Sequence, residues 1–257
     1  MSRKKNALIL LAGGRGKRME SYIPKQFMDL GGKPLIWHSL NTIQKSDLID
    51  ECILVSGAED IARIRAIVDR HGFDKVSMIV EGGAERFLSM MNGVLAVFDR
   101  GKECESCSGV PEVILVHDGA RPFLDDAIIS RCLEGVEETG GCVAAVPSKD
   151  TVKIADKNCI VTNEPSRKSV WNMQTPQVFD SKIIYKACLA LKDEIEKYKD
   201  DPSHVLPEIT DDAQMVSLFT NTKIKLVMGS YENIKITTPV DVLIADRILE
   251  EKIGHIS

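Results

Sequence analysis

Short, continuous apolar runs alternate with amphipathic stretches along this chain. The runs cover residues 7–11, 52–56, 76–80, 113–116 and 142–146. Apolar runs of this length are typical of parallel strands whose two faces are both covered by helices. The pattern therefore predicts an α/β fold in which a mostly parallel sheet lies between two layers of helices.

The stretches between these runs follow helical spacing. Apolar residues recur on one face of a helix in 84–98, and 59–70 repeats the pattern. A last helix has a clear start, because Thr238 can cap it, Pro239 suits its first turn and Asp241 stands where a capping-box acid would. Its predicted buried stripe consists of Val240, Leu243, Ile244, Ile248 and Leu249.

Two stretches depart from this alternation. Residues 148–168 carry polar side chains on both faces and contain two short β-like pieces, 151–154 and 159–162. They predict a projecting β-hairpin, or arm, rather than a core element. Residues 192–204 are dense in charge and predict a solvated helix end followed by a surface loop.

Composition narrows the class of protein. The chain has 257 residues, of which 44% are hydrophobic, and shows no repeat or linker, so one domain spanning 1–257 is expected. A net charge of −5 argues against duplex nucleic acid as a partner. No apolar run approaches the roughly 20 residues of a membrane span, so we expect no membrane partner.

The cysteines indicate a reducing cellular compartment rather than a metal or redox site. Their number, seven, is odd and their spacing irregular, which predicts reduced thiols in a cytoplasmic protein. Cys104 and Cys107 form one C-x-x-C pair, but no second ligand pair lies near them. A polar surface loop is therefore the preferred interpretation of this pair.

The first apolar run leads directly into a loop rich in glycine and cations. Glycines let the backbone approach a ligand closely and direct its N–H groups at an anion. Neither a Walker A loop nor a dinucleotide fingerprint fits, because Gly-Lys-Ser/Thr and the third glycine are missing. An anionic ligand is still expected, because four cations lie within eleven residues: Arg15, Lys17, Arg18 and Lys25.

Three further segments carry candidate chemistry. Asp118 lies at the carboxyl end of the fourth predicted strand, where open α/β sheets bind ligands, and could hold Mg²⁺. Arg121 could meet a phosphate. The neighbouring His117 is interpreted as a packed or loop histidine. Gly82 and Gly83 allow close approach of a base or sugar, and Ser89 lies on the following helix. Lys235 projects opposite its apolar neighbours, a pattern that an ordinary surface lysine also fits.

The order of motifs resembles a known family. The chain reads A-G-G-x-G-x-R-M-x4-P-K-Q, G-G-x-x-R-x-x-S, H-D-G-A-R-P, D-T-x-K, W-x-x-Q-T-P-Q, I-T-D-D-A and E-N-I-K-I-T-T-P. Each motif is short, but their order and spacing together are specific. From about residue 6 to 250, the chain is similar to the 2-C-methyl-D-erythritol 4-phosphate cytidylyltransferases of non-mevalonate isoprenoid biosynthesis.

The resemblance implies a fold, a reaction and an assembly. The fold would be a single three-layer α/β/α, Rossmann-like nucleotidyltransferase domain. The reaction would join CTP to methylerythritol phosphate, a sugar-alcohol phosphate, in the presence of Mg²⁺ and release pyrophosphate. The protein would form a homodimer through the arm at residues 148–168.

The resemblance also assigns roles to residues. The catalytic cations would be Arg18, Lys25, Arg167 and Lys235. The CTP-binding residues would be Ala12, Gly13, Gly14, Gly83, Ala84, Ser89 and Asp118, with Asp118 beside Mg²⁺ or the ribose. The sugar-phosphate residues would be Arg121, Thr151, Arg167, Thr175 and Lys235, some of them contributed across the dimer.

Alternative functions remain open at this stage. Residues 11–14 read Leu-Ala-Gly-Gly, a form common in the sister ribitol-5-phosphate cytidylyltransferases, which make CDP-ribitol for cell-envelope polymers. The motifs at 170–177 and 209–213 instead favour the methylerythritol family. A sugar-1-phosphate nucleotidyltransferase and a non-catalytic nucleotide-binding regulator are two further alternatives.

Overall fold

A computed structural model of the chain describes residues 5–14, 23–103, 109–201 and 203–254. The described strands are β1 (Asn6–Leu11), β2 (Asp29–Leu30), β3 (Lys33–Pro34), β4 (Glu51–Ser56), β5 (Val76–Glu81), β6 (Val113–Asp118), β7 (Gly141–Pro147), β8 (Ile154–Ala155), β9 (Val161–Asn163), β10 (Trp171–Asp180) and β11 (Lys225–Met228). The described α-helices are α1 (Leu35–Lys45), α2 (Ile61–His71), α3 (Arg86–Glu103), α4 (Asp126–Thr139), α5 (Ser181–Asp200), α6 (Asp212–Thr220) and α7 (Pro239–Gly254).

A seven-stranded sheet forms the centre of the molecule. Its strand order is β11-β7-β10-β6-β1-β4-β5. All neighbours are parallel except β10, which runs antiparallel to both β6 and β7. The five predicted strands are confirmed, and so is the mostly parallel sheet. The other two strands, β10 and β11, were not predicted.

Strand β1 shows why the fold has three layers. Leu8 and Leu10 point to one face, where they are buried with residues of α1, α2 and α4. Ala7 and Ile9 point to the other face, where they are buried with residues of α3, α5 and α6. Alternate side chains of one apolar strand are therefore both covered, because successive residues of a strand face opposite sides.

The predicted buried stripe of α7 is wrong for three of its five residues. The exposed fractions of Val240, Leu243 and Ile244 are 61%, 70% and 46%. The helix instead buries Ala245 completely, and Ile248 and Leu249 pack partly against the same small cluster. Since α7 contacts the core along one narrow line, its second apolar stripe has no core to pack against. The expected acid at its start is confirmed, because Asp241 Oδ2 accepts hydrogen bonds from Thr237 N and Thr238 N at 2.7 Å each.

The two irregular stretches take the predicted forms with shifted limits. The arm contains an antiparallel two-stranded sheet of β8 and β9, one to three residues later than the predicted pieces. In the charged stretch, α5 continues to Asp200, so more of it is helical than expected. Within the described part of the chain, no helix is long and apolar enough to cross a membrane.

Candidate active site

A cleft of about 900 Å³ opens at the carboxyl ends of the central parallel strands. Leu11 of β1 pairs with Asp118 of β6, and Ser56 of β4 pairs with Glu81 of β5, so these strands end at one edge of the sheet. This edge is where open α/β sheets bind ligands. The predicted residues that line the cleft are Ala12, Gly13, Gly14, Lys25, Gly83, Ala84, Ser89, Asp118 and Lys235.

The turn between β5 and α3 is held close to the helix by a serine. Gly83 N donates a hydrogen bond of 3.1 Å to Ser89 Oγ. A Cβ on Gly82 would lie 2.8 Å from Ser89 Oγ, and one on Gly83 would lie 2.4 Å from Leu88 Cβ. Gly83 therefore requires glycine, whereas a side chain at Gly82 would displace the Ser89 hydroxyl that holds the turn. The turn presents main-chain atoms to the cleft.

Lys25 begins a 3-10 turn, Lys25–Phe27, on another wall of the cleft. The next residue, Gln26, is 5% exposed, and its Nε2 donates a hydrogen bond of 2.7 Å to Asp60 Oδ2. Phe27 is buried in the core. These two anchors fix the backbone that carries Lys25 at the cleft, so binding an anion there has to order only the lysine side chain.

A chain of alternating charges crosses the floor of the cleft. Asp118 Oδ2 pairs with Lys235 Nζ at 2.7 Å, and Asp118 Oδ1 pairs with Arg86 Nε at 3.0 Å. Arg86 Nη1 then pairs with Asp212 Oδ1 at 2.7 Å. Burial opposes ionisation of Asp118, but Arg86 and Lys235 together hold its pKa well below the usual range. Asp118 is therefore a carboxylate throughout the neutral range.

His117 is a packed histidine, as predicted. Its Nε2 donates to the Arg121 carbonyl at 3.1 Å, so its Nδ1 accepts from Thr175 Oγ1 at 2.9 Å. Burial lowers the pKa of His117 to about 4. Because the ring is neutral at pH 7 and both nitrogens are bonded, it is unsuited to general-base catalysis.

A smaller cavity of about 140 Å³ adjoins the cleft. Arg121 and Thr175 line it, while Arg86, Asp118 and Lys235 line both spaces. Arg121 Nη1 donates a hydrogen bond of 2.6 Å to the Asn233 carbonyl. The Thr175 hydroxyl is already used, because it also accepts from Asp118 N at 3.1 Å.

Hydrogen bonds join the distant motifs that surround these cavities. Gln177 Nε2 donates to Asp211 Oδ2 at 3.1 Å, and Gln177 Oε1 accepts from Ala213 N at 2.8 Å. Asn233 Nδ2 donates to the Thr175 carbonyl at 2.8 Å. The segments around 174–177, 211–213 and 233–235 therefore form one connected wall.

Some predicted site residues lie elsewhere. Thr151 and Arg167 do not line either cavity, and they bond to each other on the arm, with Arg167 Nη2 donating to Thr151 Oγ1 at 2.8 Å. Arg18, like Arg15 and Lys17, lies outside the described residues. The Cys104–Cys107 pair is also outside them.

Sequence reasoning missed the roles of Arg86 and Asp212. Both residues stand in motifs that were noticed, G-G-x-x-R and I-T-D-D-A, but each begins a helix and is typical of a solvated helix end. The pairing joins residues 126 positions apart in the chain. The available signal was the pair of adjacent aspartates at 211–212. Asp211 caps α6, so Asp212 is not needed as a cap and is free to pair with a cation elsewhere.

The side chains around the cleft decide whether a Mg²⁺ ion could be held there. Among the described residues, no group of three or more His, Cys, Asp or Glu side chains is placed to hold a metal ion. Asp118 is a single ionised carboxylate at the junction of the two cavities. Its two oxygens pair with Lys235 and Arg86, but an ionised carboxylate has about four lone-pair sites. Because Mg²⁺ commonly uses one or two carboxylates together with substrate phosphates, Asp118 still fits as its protein ligand once a nucleotide supplies the other oxygens.

Glycine turns, converging cations and a cleft at the carboxyl edge of a parallel sheet together define an α/β protein of the nucleotidyltransferase class. A family model described as 2-C-methyl-D-erythritol 4-phosphate cytidylyltransferase matches residues 6–251. The chain therefore belongs to this family of CTP-dependent nucleotidyltransferases, and the family predicted from the motifs is confirmed.

Individual relatives agree with the family match. A 2-C-methyl-D-erythritol 4-phosphate cytidylyltransferase of Lachnospira eligens is 42% identical over 95% of this chain and 99% of its own. One of Geobacter metallireducens is 39% identical over 95% and 97%. The crystal structure of 4-diphosphocytidyl-2C-methyl-D-erythritol synthase from Anaerococcus prevotii matches with a TM-score of 0.75 at 31% identity, covering 96% of this chain and 99% of that one.

Proposed function

We propose that this protein transfers the cytidylyl group of CTP to 2-C-methyl-D-erythritol 4-phosphate. The products are 4-diphosphocytidyl-2-C-methyl-D-erythritol and pyrophosphate. The observation that carries the proposal is the convergence of Lys25, Lys235 and the glycine turns on one cleft, with Arg86, Asp118 and Lys235 shared between that cleft and the smaller cavity. The cleft suits the nucleotide, and the smaller cavity suits the acceptor.

The chemistry needs cations rather than a base. A phosphate oxygen of the acceptor attacks the α-phosphorus of CTP, the bond to the β-phosphate oxygen breaks, and pyrophosphate leaves. Since the second pKa of a phosphate monoester is about 6, the attacking oxygen is already ionised at pH 7. The barrier is lowered by positioning two anionic groups in line and by neutralising the charge around the α-phosphate.

Each cation has a place in this scheme. Lys25, together with Arg18, would stabilise charge on the triphosphate, and Lys235 would face both phosphates from the junction. Gly83, Ala84 and Ser89 would hold the cytosine end through the turn after β5. Mg²⁺ held by Asp118 and the triphosphate oxygens would neutralise phosphate charge and orient the leaving group.

We further propose a homodimer in which the arm of one chain serves the site of its partner. Thr151 and Arg167 lie away from both cavities of their own chain, so a role in acceptor binding requires another copy. The arm also exposes Ile154, Ile160 and Val161, whose exposed fractions are 49%, 64% and 48%. A two-stranded hairpin is marginally stable alone, so an apolar surface on it favours a partner.

The proposal places one domain, residues 1–257, in the cytoplasm with small-molecule substrates. No nucleic-acid partner is expected, because the net charge is −5. The homodimer predicts a dimer mass in solution by light scattering, and a monomer mass would contradict that part alone.

The acceptor is tested by pyrophosphate release with CTP and Mg²⁺. Methylerythritol 4-phosphate and ribitol 5-phosphate are compared side by side, with Lys25→Ala as the catalytic control. We expect turnover with methylerythritol phosphate only. Turnover with ribitol phosphate alone would identify the activity as that of the sister ribitol-5-phosphate cytidylyltransferases, whose first motif residues 11–14 resemble. Silence with both acceptors would contradict the proposed reaction.

A further inference from the structure

Arg86 occupies the wall between the cleft and the smaller cavity and lines both. It stands at the first position of α3, and 30% of its side chain is exposed. Nε is paired with Asp118 and Nη1 with Asp212, whereas Nη2 makes no hydrogen bond within the described part of the chain. The guanidinium plane is therefore held along one side and open on the other.

Asp212 is the buried end of this arrangement. Its side chain is 0% exposed, and Oδ2 is buried without a hydrogen-bond partner among the described residues. It does not cap its helix, because Asp211 accepts the capping hydrogen bond from Gln214 N. Burying a carboxylate with one unsatisfied oxygen costs free energy, so stability alone is a poor reason for this charge.

We propose that Asp212 is a positioning residue. It fixes Arg86 in the wall between the two cavities, and Arg86 in turn fixes the Asp118 carboxylate that holds Lys235. This inference rests on the proposed function, in which the phosphates of CTP and acceptor meet at that wall.

The arrangement prepares the site before the phosphates arrive. The four groups alternate in sign, so each cation is held by a carboxylate at its back. If Asp212 loses its charge, Arg86 keeps one carboxylate partner and follows Asp118 and the incoming phosphates instead of staying in place. Misplacement of a phosphate-facing cation lowers kcat, whereas CTP retains its contacts with the glycine turns and Lys25.

A double-mutant cycle tests whether Asp212 acts through Arg86. We expect Asp212→Asn to lower kcat about 10- to 100-fold, with KM for CTP changed by less than about threefold. In an Arg86→Gln background the same substitution is expected to cost almost nothing, because its target is gone. Equal losses of kcat in both backgrounds would overturn the proposal.

Ser217→Ala is the matched control on the same helix. Ser217 Oγ donates to the Thr222 carbonyl at 2.8 Å, away from both cavities. The control is expected to lower Tm by a few degrees with kcat unchanged. If it lowers kcat as much as Asp212→Asn does, the effect of Asp212 is merely structural.

The pH profile provides a second readout. Burial raises the pKa of Asp212 to about 6, opposed by Arg86. The other ionisable groups facing it are Asp118, Asp211 and the Cys188 thiol, of which Asp118 stays ionised. The ratio of wild-type to Asp212→Asn kcat should be largest above pH 7 and approach about one near pH 5, because wild-type Asp212 is then neutral. A ratio that grows as the pH falls would contradict the proposal, and the acceptor phosphate titrates equally in both proteins.

Crystal structures separate this proposal from the proposed function. In Asp212→Asn, Arg86 Nη1 should lie more than about 4 Å from the side chain at position 212, beyond ion-pair distance, while Nε stays paired with Asp118. If Arg86 stays at its present position, the proposal fails whatever the turnover. If the wild type turns over neither acceptor but Arg86 moves in the variant, the reaction fails and the positioning role stands.

Discussion

The turn after β5 carries predicted contacts to CTP, and the arm after β7 carries predicted contacts to the acceptor. The two regions differ in how firmly the rest of the chain holds them. Gly83 belongs to a turn tied to a buried sheet, and it lines the cleft of its own chain. Arg167 belongs to an exposed segment next to a two-stranded hairpin, and it reaches neither cavity. Under the proposal, the described nucleotide-binding residues all line the cleft of one chain, whereas the acceptor half requires a second copy.

The largest effect is expected in the nucleotide half. Lys25→Ala removes a cation that faces the cleft from a fixed turn. We expect kcat to fall about 10²- to 10³-fold, the typical loss for one charge-stabilising donor. Lys186→Ala, an exposed lysine on α5, is the matched control and should leave turnover unchanged. Near-normal kcat in Lys25→Ala would remove Lys25 from the mechanism.

The acceptor half should show a loss of a different kind. Arg167→Ala is expected to lower kcat/KM for the acceptor about 10²-fold, because a paired guanidinium–phosphate contact is lost. KM for CTP should be unchanged, since the proposal assigns Arg167 to the acceptor phosphate and not to the nucleotide. Steady-state kinetics with each substrate varied in turn measures both values. An equal rise in KM for CTP would erase the distinction between the halves.

A smaller effect is expected from the backbone of the turn. Gly83→Ala places a Cβ 2.4 Å from Leu88 Cβ, so the turn must move. We expect KM for CTP to rise about tenfold, roughly 1.4 kcal/mol of binding, with less change for the acceptor. Gly109→Ala is the control, because its Cβ would meet nothing within 4 Å. Unchanged CTP kinetics would show that this turn does not hold the nucleotide.

The smallest effect concerns assembly. Ile160→Asp puts a charge on the exposed apolar surface of the arm, and we expect about a tenfold weaker dimer. Activity per chain should then fall on dilution and recover as protein concentration rises. Sedimentation measured beside turnover checks both. A dimer of unchanged strength would separate Ile160 from the interface.

The fold was largely predictable because its strands are buried on both faces. Leu8 and Ile9 need no alternation when helices cover both sides of the sheet, so the apolar run itself marks the strand. Strand β10 escaped prediction because buried polar residues such as Gln174 and Gln177 interrupt its pattern, and their partners lie far away in the chain. The stripe of α7 was wrong because amphipathicity does not indicate which apolar face meets a core.

The candidate site was predictable where it depends on strand ends. Asp118 and the glycine turns follow apolar runs, and parallel strands bring those ends together. The Asp212–Arg86 pair was not predictable, since the doubled acid at 211–212 indicates a spare carboxylate but not its partner 126 positions away. The family resemblance predicted both nucleotide-binding and acceptor-binding residues. The two cavities then show which of these residues lie together within one chain and which lie apart.

The central claim is that a site joins the cleft of one chain to the arm of its partner. The most direct test mixes Lys25→Ala and Arg167→Ala chains after dissociation and measures pyrophosphate release. Each mixed dimer would contain one site with both Lys25 and Arg167 intact, so about a quarter of wild-type turnover should return from two nearly inactive proteins. No recovery in a mixture shown to contain mixed dimers would contradict the account, because each chain would then use its own arm.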